Sequence, residues 1–189
     1  MKNFEMLNNQ VIISNIPFVY DGRELSSKLQ AKLMLMRVSY NKSVAAFEDK
    51  INEALKGFKP EGFDDLSRDV ERMRYIESKV KDCKEWCGSG DKPSEPTAEE
   101  LEESAKIRAE KLTDYESKEK VLIEKWKELR IQELEEECPH NIRKITEDEY
   151  AEIIEVIKTE GEIEYNFNGR KNKIEKTQFL ELIAAGLVD

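Results

Sequence analysis

The chain has 189 residues, enough for one domain or for a helical body with a small appended module. Charged residues make up 38% of it and hydrophobic residues 39%, which is poor in interior residues for a compact globule and favours long helices with one apolar stripe each. The net charge of −10 repels phosphates and anionic lipid heads, so we do not expect generic binding to nucleic acid or to a membrane surface.

Cysteine usage and the amino terminus both indicate an intracellular protein. Three cysteines in a chain of this size do not describe a disulfide scaffold, so we expect a reducing compartment. The residues after Met1 lack the pattern of a signal peptide, and the best candidate for a membrane span, residues 33–36, is far too short. We therefore predict a cytoplasmic protein, or one assembled inside a cell into a particle.

Residues 1–22 are predicted to form an extended amino-terminal arm. The arm contains a β-favouring run of three residues, Val11, Ile12 and Ile13. Pro17 disfavours helix at the residue before it, and Asp21 with Gly22 is typical of a turn. Because few positions between residues 11 and 20 are polar, we expect the arm to lie on an apolar surface of its own helices or of a neighbouring subunit. The three β-favouring residues are therefore candidate interface residues.

Residues 23–137 are predicted to form a coiled-coil-like bundle of three long helices. The first helix covers residues 23–56 without Gly or Pro, and its apolar residues repeat every eleven positions, which is typical of a nearly straight helix. This stripe consists of Leu25, Leu29, Leu33, Met36, Tyr40, Val44, Phe47, Ile51 and Leu55. The second helix covers residues 64–87 and is followed by a flexible loop at residues 88–96.

The third helix is predicted to begin at a capping box formed by Thr97 and Glu100, and to continue to residue 137. Such a helix would be about 60 Å long, so its far end extends beyond the second helix. Apolar residues at that end need cover from the first helix or from another chain, and we predict a partner interface there. These residues are Leu122, Trp126 and Leu129.

Residues 138–189 are predicted to form a small α-β-β-α module. Its first helix begins at a second capping box, formed by Thr146 and Glu149. An alternating pattern then predicts a hairpin with its turn at Asn168 and Gly169, which places Ile163 opposite Ile174. A last helix over residues 177–185 is expected to cover the hairpin, because isolated hairpins are marginally stable.

Three thiols and one imidazole could form a tetrahedral zinc site. The candidate ligands are Cys83, Cys87, Cys138 and His140. Cys138 lies at the far end of the predicted third helix, so the four could meet only through a break in that helix or between subunits. We therefore expect Cys83 and Cys87 to be small core residues and His140 to lie on the surface, with no metal or other cofactor bound.

The sequence contains no complete catalytic motif, so we predict that the chain is not an enzyme. None of the eight glycines belongs to a phosphate-binding loop, and the single histidine has no orienting acid nearby. One basic cluster lies on the returning strand of the hairpin: Arg170, Lys171, Lys173 and Lys176. It could contact phosphate, but lysines that protect an edge strand explain it equally well.

Together these patterns predict a mainly α protein, with an elongated three-helix body and a small C-terminal α-β-β-α module. The predicted function is that of a structural or adaptor protein that contacts copies of itself or other proteins, such as a subunit of a phage-like particle. An acidic regulatory binder, such as an inhibitor or an antitoxin-like protein, is the alternative. A zinc-binding protein is a remote third hypothesis.

Overall fold

The structure is a computed structural model that describes residues 1–88, 93–140, 142–167 and 169–189. Across these residues it contains the helices and strands α1 (Asn3–Asn15), β1 (Val19–Tyr20), β2 (Arg23–Glu24), α2 (Ser27–Lys56), α3 (Phe63–Glu85), α4 (Ala98–Glu110), α5 (Leu112–Glu135), α6 (Glu147–Ile157), β3 (Glu162–Phe167), β4 (Arg170–Glu175) and α7 (Lys176–Leu187). The predicted fold class, mainly α with a small C-terminal α-β-β-α module, is confirmed.

The chain divides into two compact units. The first consists of Met1–Ile51 together with Arg130–Asp189, and the second is Asn52–Leu129. These units cut across the predicted boundaries after residues 22 and 137. The physical reason is that α1 packs against α7, which brings the two ends of the chain into the same unit.

The prediction of an extended amino-terminal arm is wrong, because residues 3–15 form helix α1. The buried positions of α1 lie three or four residues apart: Asn3, Met6, Asn9 and Ile13. Two of them are asparagines, so the apolar period that marks a buried helix face is missing from the sequence. Each buried amide has a backbone partner, because Asn3 Nδ2 donates to Glu133 O (2.8 Å) and Asn9 Nδ2 donates to Gly186 O (3.0 Å).

Helix α2 buries most of its predicted apolar stripe in the core of the first unit. Six residues of the stripe within α2 are at most 4% exposed: Leu29, Leu33, Met36, Tyr40, Phe47 and Ile51. Arg37 fixes the same helix to the end of α1, donating to the carbonyls of Ile13 (2.9 Å) and Ile16 (2.5 Å). The helix begins at Ser27 and not at residue 23, because residues 23–24 pair with residues 19–20 as strands β2 and β1.

The C-terminal module follows the predicted order of helix, hairpin and helix. Strands β3 and β4 are antiparallel, and Ile163 faces Ile174 as expected. The capping box at the start of α6 is also present, since Thr146 N donates to the Glu149 carboxylate (2.8 Å) and Glu149 N donates to Thr146 Oγ1 (3.3 Å). Of the two predicted turn residues, Asn168 lies outside the described residues.

The outer edge of β3 is covered by a side chain of α1. Asn15 Oδ1 accepts a hydrogen bond from Asn166 N (2.6 Å), and Asn15 Nδ2 donates to Asn166 O (3.0 Å). The amide thus takes the place that a neighbouring strand would occupy, and satisfies both backbone groups of one β3 residue.

The second unit has its own small core between α3, α4 and the start of α5. This core contains Val70, Met73, Ile107 and Tyr115. The Phe63 ring stacks on Tyr115 with a centroid separation of 5.4 Å. Glu100, which caps α4, also forms ion pairs with Arg72 (3.2 Å) and Lys79 (3.0 Å) of α3. The predicted second helix and the predicted cap of the third are therefore both present.

The predicted third helix is divided in two and is shorter than expected. It is interrupted at Lys111, whose φ of −122° departs from the helical value, and no Gly or Pro marks this break. Its end at residue 135 has a clear cause, because the next residues bond to the amino terminus instead. Asn3 N donates to Glu136 O (2.9 Å), and Cys138 N donates to Met1 O (2.9 Å). Of the predicted loop at residues 88–96, residues 89–92 lie outside the described residues.

Candidate protein-binding surface

The outward side of α2 exposes three large apolar side chains in one group. Met34 is 57% exposed, Leu35 is 62% exposed and Val38 is 51% exposed. Their spacing of three and four residues places them on one face of the helix, opposite the buried stripe. We call these three residues the α2 outer face.

Basic side chains surround the α2 outer face. A shallow cavity of about 370 Å³ at this position is lined by Lys32, Leu35, Met36, Val38, Ser39, Lys42 and Arg143. Lys32 forms an ion pair with Glu149 (2.6 Å). Among the described residues, neither Lys42 nor Arg143 has an acidic ion-pair partner. The surface therefore combines an apolar centre with positive charge, although the whole chain carries a net charge of −10.

Two exposed aromatic side chains of the second unit differ, because cations of the same unit cover them. The Lys125 ammonium lies 4.7 Å from the centroid of the Phe58 ring. The Tyr75 ring lies within 5.9 Å of Arg72 and 4.9 Å of Lys79. Single exposed apolar residues are ordinary on a protein surface, whereas a contiguous group beside unpaired charges is typical of an interaction site.

The interface residues predicted from the sequence are more buried than expected. Ile13 is fully buried, so it is not available to a partner and that part of the prediction is wrong; it lies on the inner side of α1. Val11 and Ile12 are half-buried, and so are the three α5 residues Leu122, Trp126 and Leu129. A partner contact at these five positions stays a prediction.

The four candidate zinc ligands belong to different units. In the second unit, Cys83 is half-buried and its thiol donates to Pro93 O (3.6 Å). Cys87 is exposed, which contradicts the prediction of a core residue, because α3 ends at residue 85 and Cys87 leaves the apolar stripe. In the first unit, Cys138 is half-buried and His140 is exposed as expected. Among the described residues, no group of three His, Cys, Asp or Glu side chains is placed to hold a metal ion.

The basic cluster of the hairpin is partly neutralised by the neighbouring strand. Lys171 pairs with Glu164 and Lys173 pairs with Glu162, both at 3.6 Å. The Lys176 ammonium lies 4.6 Å from the centroid of the Tyr20 ring. These contacts fit the interpretation of a charged, protected edge strand, with Arg170 exposed at its start. A phosphate contact at this cluster stays a prediction.

The α2 outer face was not among the predicted sites, although the sequence carries a signal for it. Residues 33–36 form an apolar run inside a helix, and successive residues of a helix point about 100° apart. A run of that length must therefore place side chains on both sides of the helix. Leu33 and Met36 are buried, and Met34 and Leu35 face outward.

No family model, no curated protein and no solved structure matches this chain. None of the helices in the described part of the chain combines the length and the apolar character that crossing a membrane requires.

Proposed function

We propose that this chain is a structural or adaptor protein, without enzymatic activity, that binds another protein through the α2 outer face. The exposed group of Met34, Leu35 and Val38 carries the proposal. An apolar side chain that becomes fully buried contributes about 1.5–3 kcal/mol, so covering this face would favour association.

Two of the groups with shifted pKa values help to hold the fold together. Hydrogen bonding to Lys79 holds the pKa of Glu100 below its ordinary value, and this carboxylate caps α4. Burial raises the pKa of Tyr40, which lies in the core of the first unit. Groups with a perturbed pKa mark catalytic sites when they converge in a cleft, whereas a helix cap explains the shift of Glu100 and burial explains the shift of Tyr40.

The test is carried out in the source cell and compares substitutions at two valines of similar solvent exposure. Val38→Glu places a carboxylate in the α2 outer face, and Val121→Glu places one on α5, where the valine is 56% exposed. We expect the wild-type chain and Val121→Glu to migrate in native extracts within a complex larger than the chain's 22.1 kDa. Val38→Glu should migrate as the free chain with an unchanged unfolding temperature.

The same experiment contains the outcome that would end the proposal. A wild-type chain that migrates at its own mass in the extract has no stable partner, and the α2 outer face then has no binding role. The mass of the wild-type complex also separates the two sequence hypotheses. A particle subunit gives a large assembly, whereas a regulatory binder gives a small complex with its target.

A further inference from the structure

We infer that the α2 outer face binds an acidic amphipathic helix of another protein, an inference that rests on the proposed function. The spacing of residues along α2 favours a helical partner. A row of positions at alternating steps of four and three follows the outward side: Ala31, Leu35, Val38, Lys42 and Ala45. This is the heptad spacing of a coiled-coil seam, and all five side chains are exposed. We call this row the outer seam.

A seam of this kind fits a helix better than it fits a strand or a loop. Small alanines at both ends let a second helix approach closely, and the leucine and valine between them supply the apolar contact. The buried stripe of α2 occupies the opposite side of the helix, so the outer seam is free to pair without disturbing the core.

The charge of α2 favours an acidic partner. Between residues 27 and 47, α2 carries four cations and no acidic residue. Lys28 and Lys42 are exposed, whereas Lys32 pairs with Glu149 and Arg37 donates to carbonyls at the end of α1. Lys42 lies in the outer seam itself, and a lysine at a seam position favours a partner that places a carboxylate opposite it. The exposed guanidinium of Arg143 adds positive charge to the same side. A partner helix therefore needs acidic residues beside its apolar stripe.

The same charges argue against pairing of two α2 helices from two copies of this chain. In an antiparallel pair centred on Leu35 and Val38, Lys42 of one copy would approach the lysines near the start of the other α2. In a parallel pair, each lysine would approach its own counterpart. Like charges at such positions are destabilising, so the favoured occupant is a different, acidic helix.

The test uses two labelled peptides with leucine at every seam position. One carries glutamate at the flanking positions and the other carries lysine, and repulsion keeps each peptide from pairing with itself. By fluorescence anisotropy, we expect the wild-type chain to bind the glutamate peptide about tenfold more tightly than the lysine peptide. Added salt should weaken this binding. Val38→Glu should abolish it, Lys42→Glu should shift the preference toward the lysine peptide, and Val121→Glu should bind as the wild type does.

Each other outcome overturns the inference. Equal binding of the two peptides, or binding of neither, removes the acidic helix as the occupant. Binding to phosphatidylglycerol vesicles that depends on Val38, without peptide binding, identifies a lipid surface instead. Self-association of the wild type that Val38→Glu abolishes identifies a second copy. If Val38→Glu still loses its native complex while the peptides fail, the proposed function stands with a partner of different chemistry.

Discussion

Asn9 and Gly186 form a close contact between the two ends of the first unit. Asn9 is 7% exposed, and its amide donates to the carbonyl of Gly186. A Cβ atom added at Gly186 would overlap Asn9 Oδ1, so this glycine provides space for the buried amide. Because an unpaired buried amide is costly, the fit at this point stabilises the packing of α1 on α7.

We predict that Gly186→Ala lowers the free energy of unfolding by about 1–3 kcal/mol, because the new methyl group must displace a buried, hydrogen-bonded side chain. Urea titration monitored by circular dichroism measures the change. Gly57→Ala is the matched control, since its Cβ would make an ordinary contact of 3.5 Å with Ala54 O. Equal stability of Gly186→Ala and the wild type would show that Asn9 moves aside at little cost.

Individual residues explain why the amino-terminal helix escaped prediction and the α2 stripe did not. Helix α2 buries apolar side chains at nearly every inward position, so its period is visible in the sequence. Helix α1 buries Asn3 and Asn9, whose amides donate to carbonyls more than a hundred residues away. A polar residue therefore does not reveal from the sequence that its position is buried, unless its distant hydrogen-bond partner is known.

At the scale of single elements, Glu149 joins the cap of α6 to α2. Burial alone would raise the pKa of Glu149, but hydrogen bonds from Lys32 and from the Thr146 backbone outweigh it and hold the pKa below the ordinary value of 4.5. The unfolded chain therefore takes up this proton at higher pH than the folded chain. The stabilisation is complete above pH 4.5 and is lost as the pH falls through the folded pKa.

We predict that Glu149→Gln lowers the free energy of unfolding at neutral pH by about 1 kcal/mol and flattens its decline in acid. Urea titrations at a series of pH values from neutral to acidic test both effects. Glu147→Gln is the control, because Glu147 lies in the same first turn but outside the capping box. An acid dependence that is as steep in Glu149→Gln as in the wild type would contradict the assignment.

A second element prediction concerns the hairpin edge that α1 covers. Asn15→Ala removes both hydrogen bonds to the Asn166 backbone, so we expect a loss of about 1 kcal/mol and faster amide hydrogen exchange at Asn166. Asn8→Ala gives the same gain in helix propensity at an exposed position of α1 and serves as the control. Unchanged exchange at Asn166 in Asn15→Ala would mean that this contact does not hold the edge.

Elements were predictable where the signal is local. The capping boxes at Thr97 and Thr146 and the Ile163–Ile174 register follow from a few adjacent residues. The division of the third helix at Lys111 has no such local signal in the sequence. Lys111 keeps its hydrogen bond to Ile107 O, and only its backbone angles depart from those of a helix. The end of α5 likewise depends on bonds to residues at the other end of the chain.

At the scale of the whole molecule, the uneven distribution of charge links the surface to the proposed function. The chain has 41 acidic and 31 basic residues, yet the first half of α2 is entirely basic among its charged residues. A net negative charge favours solubility and repels acidic surfaces in general. Under the proposed function, a local basic face on such a molecule would select partners that present both acidic and apolar groups at that one position. The net charge of the whole chain alone would not predict such partners.

The last prediction is that the purified chain holds no stoichiometric zinc. Cys83 already donates to Pro93 O, Cys138 donates to His140 O at 3.9 Å, and Cys87 is exposed beyond the end of its helix. Elemental analysis should find less than one zinc per chain, and a chelator should leave the unfolding temperature unchanged. With a thiol reagent, Cys87 should react first because it is the most accessible of the three. One zinc per chain, lost in both Cys83→Ser and Cys138→Ser, would show instead that the two thiol groups meet at a metal.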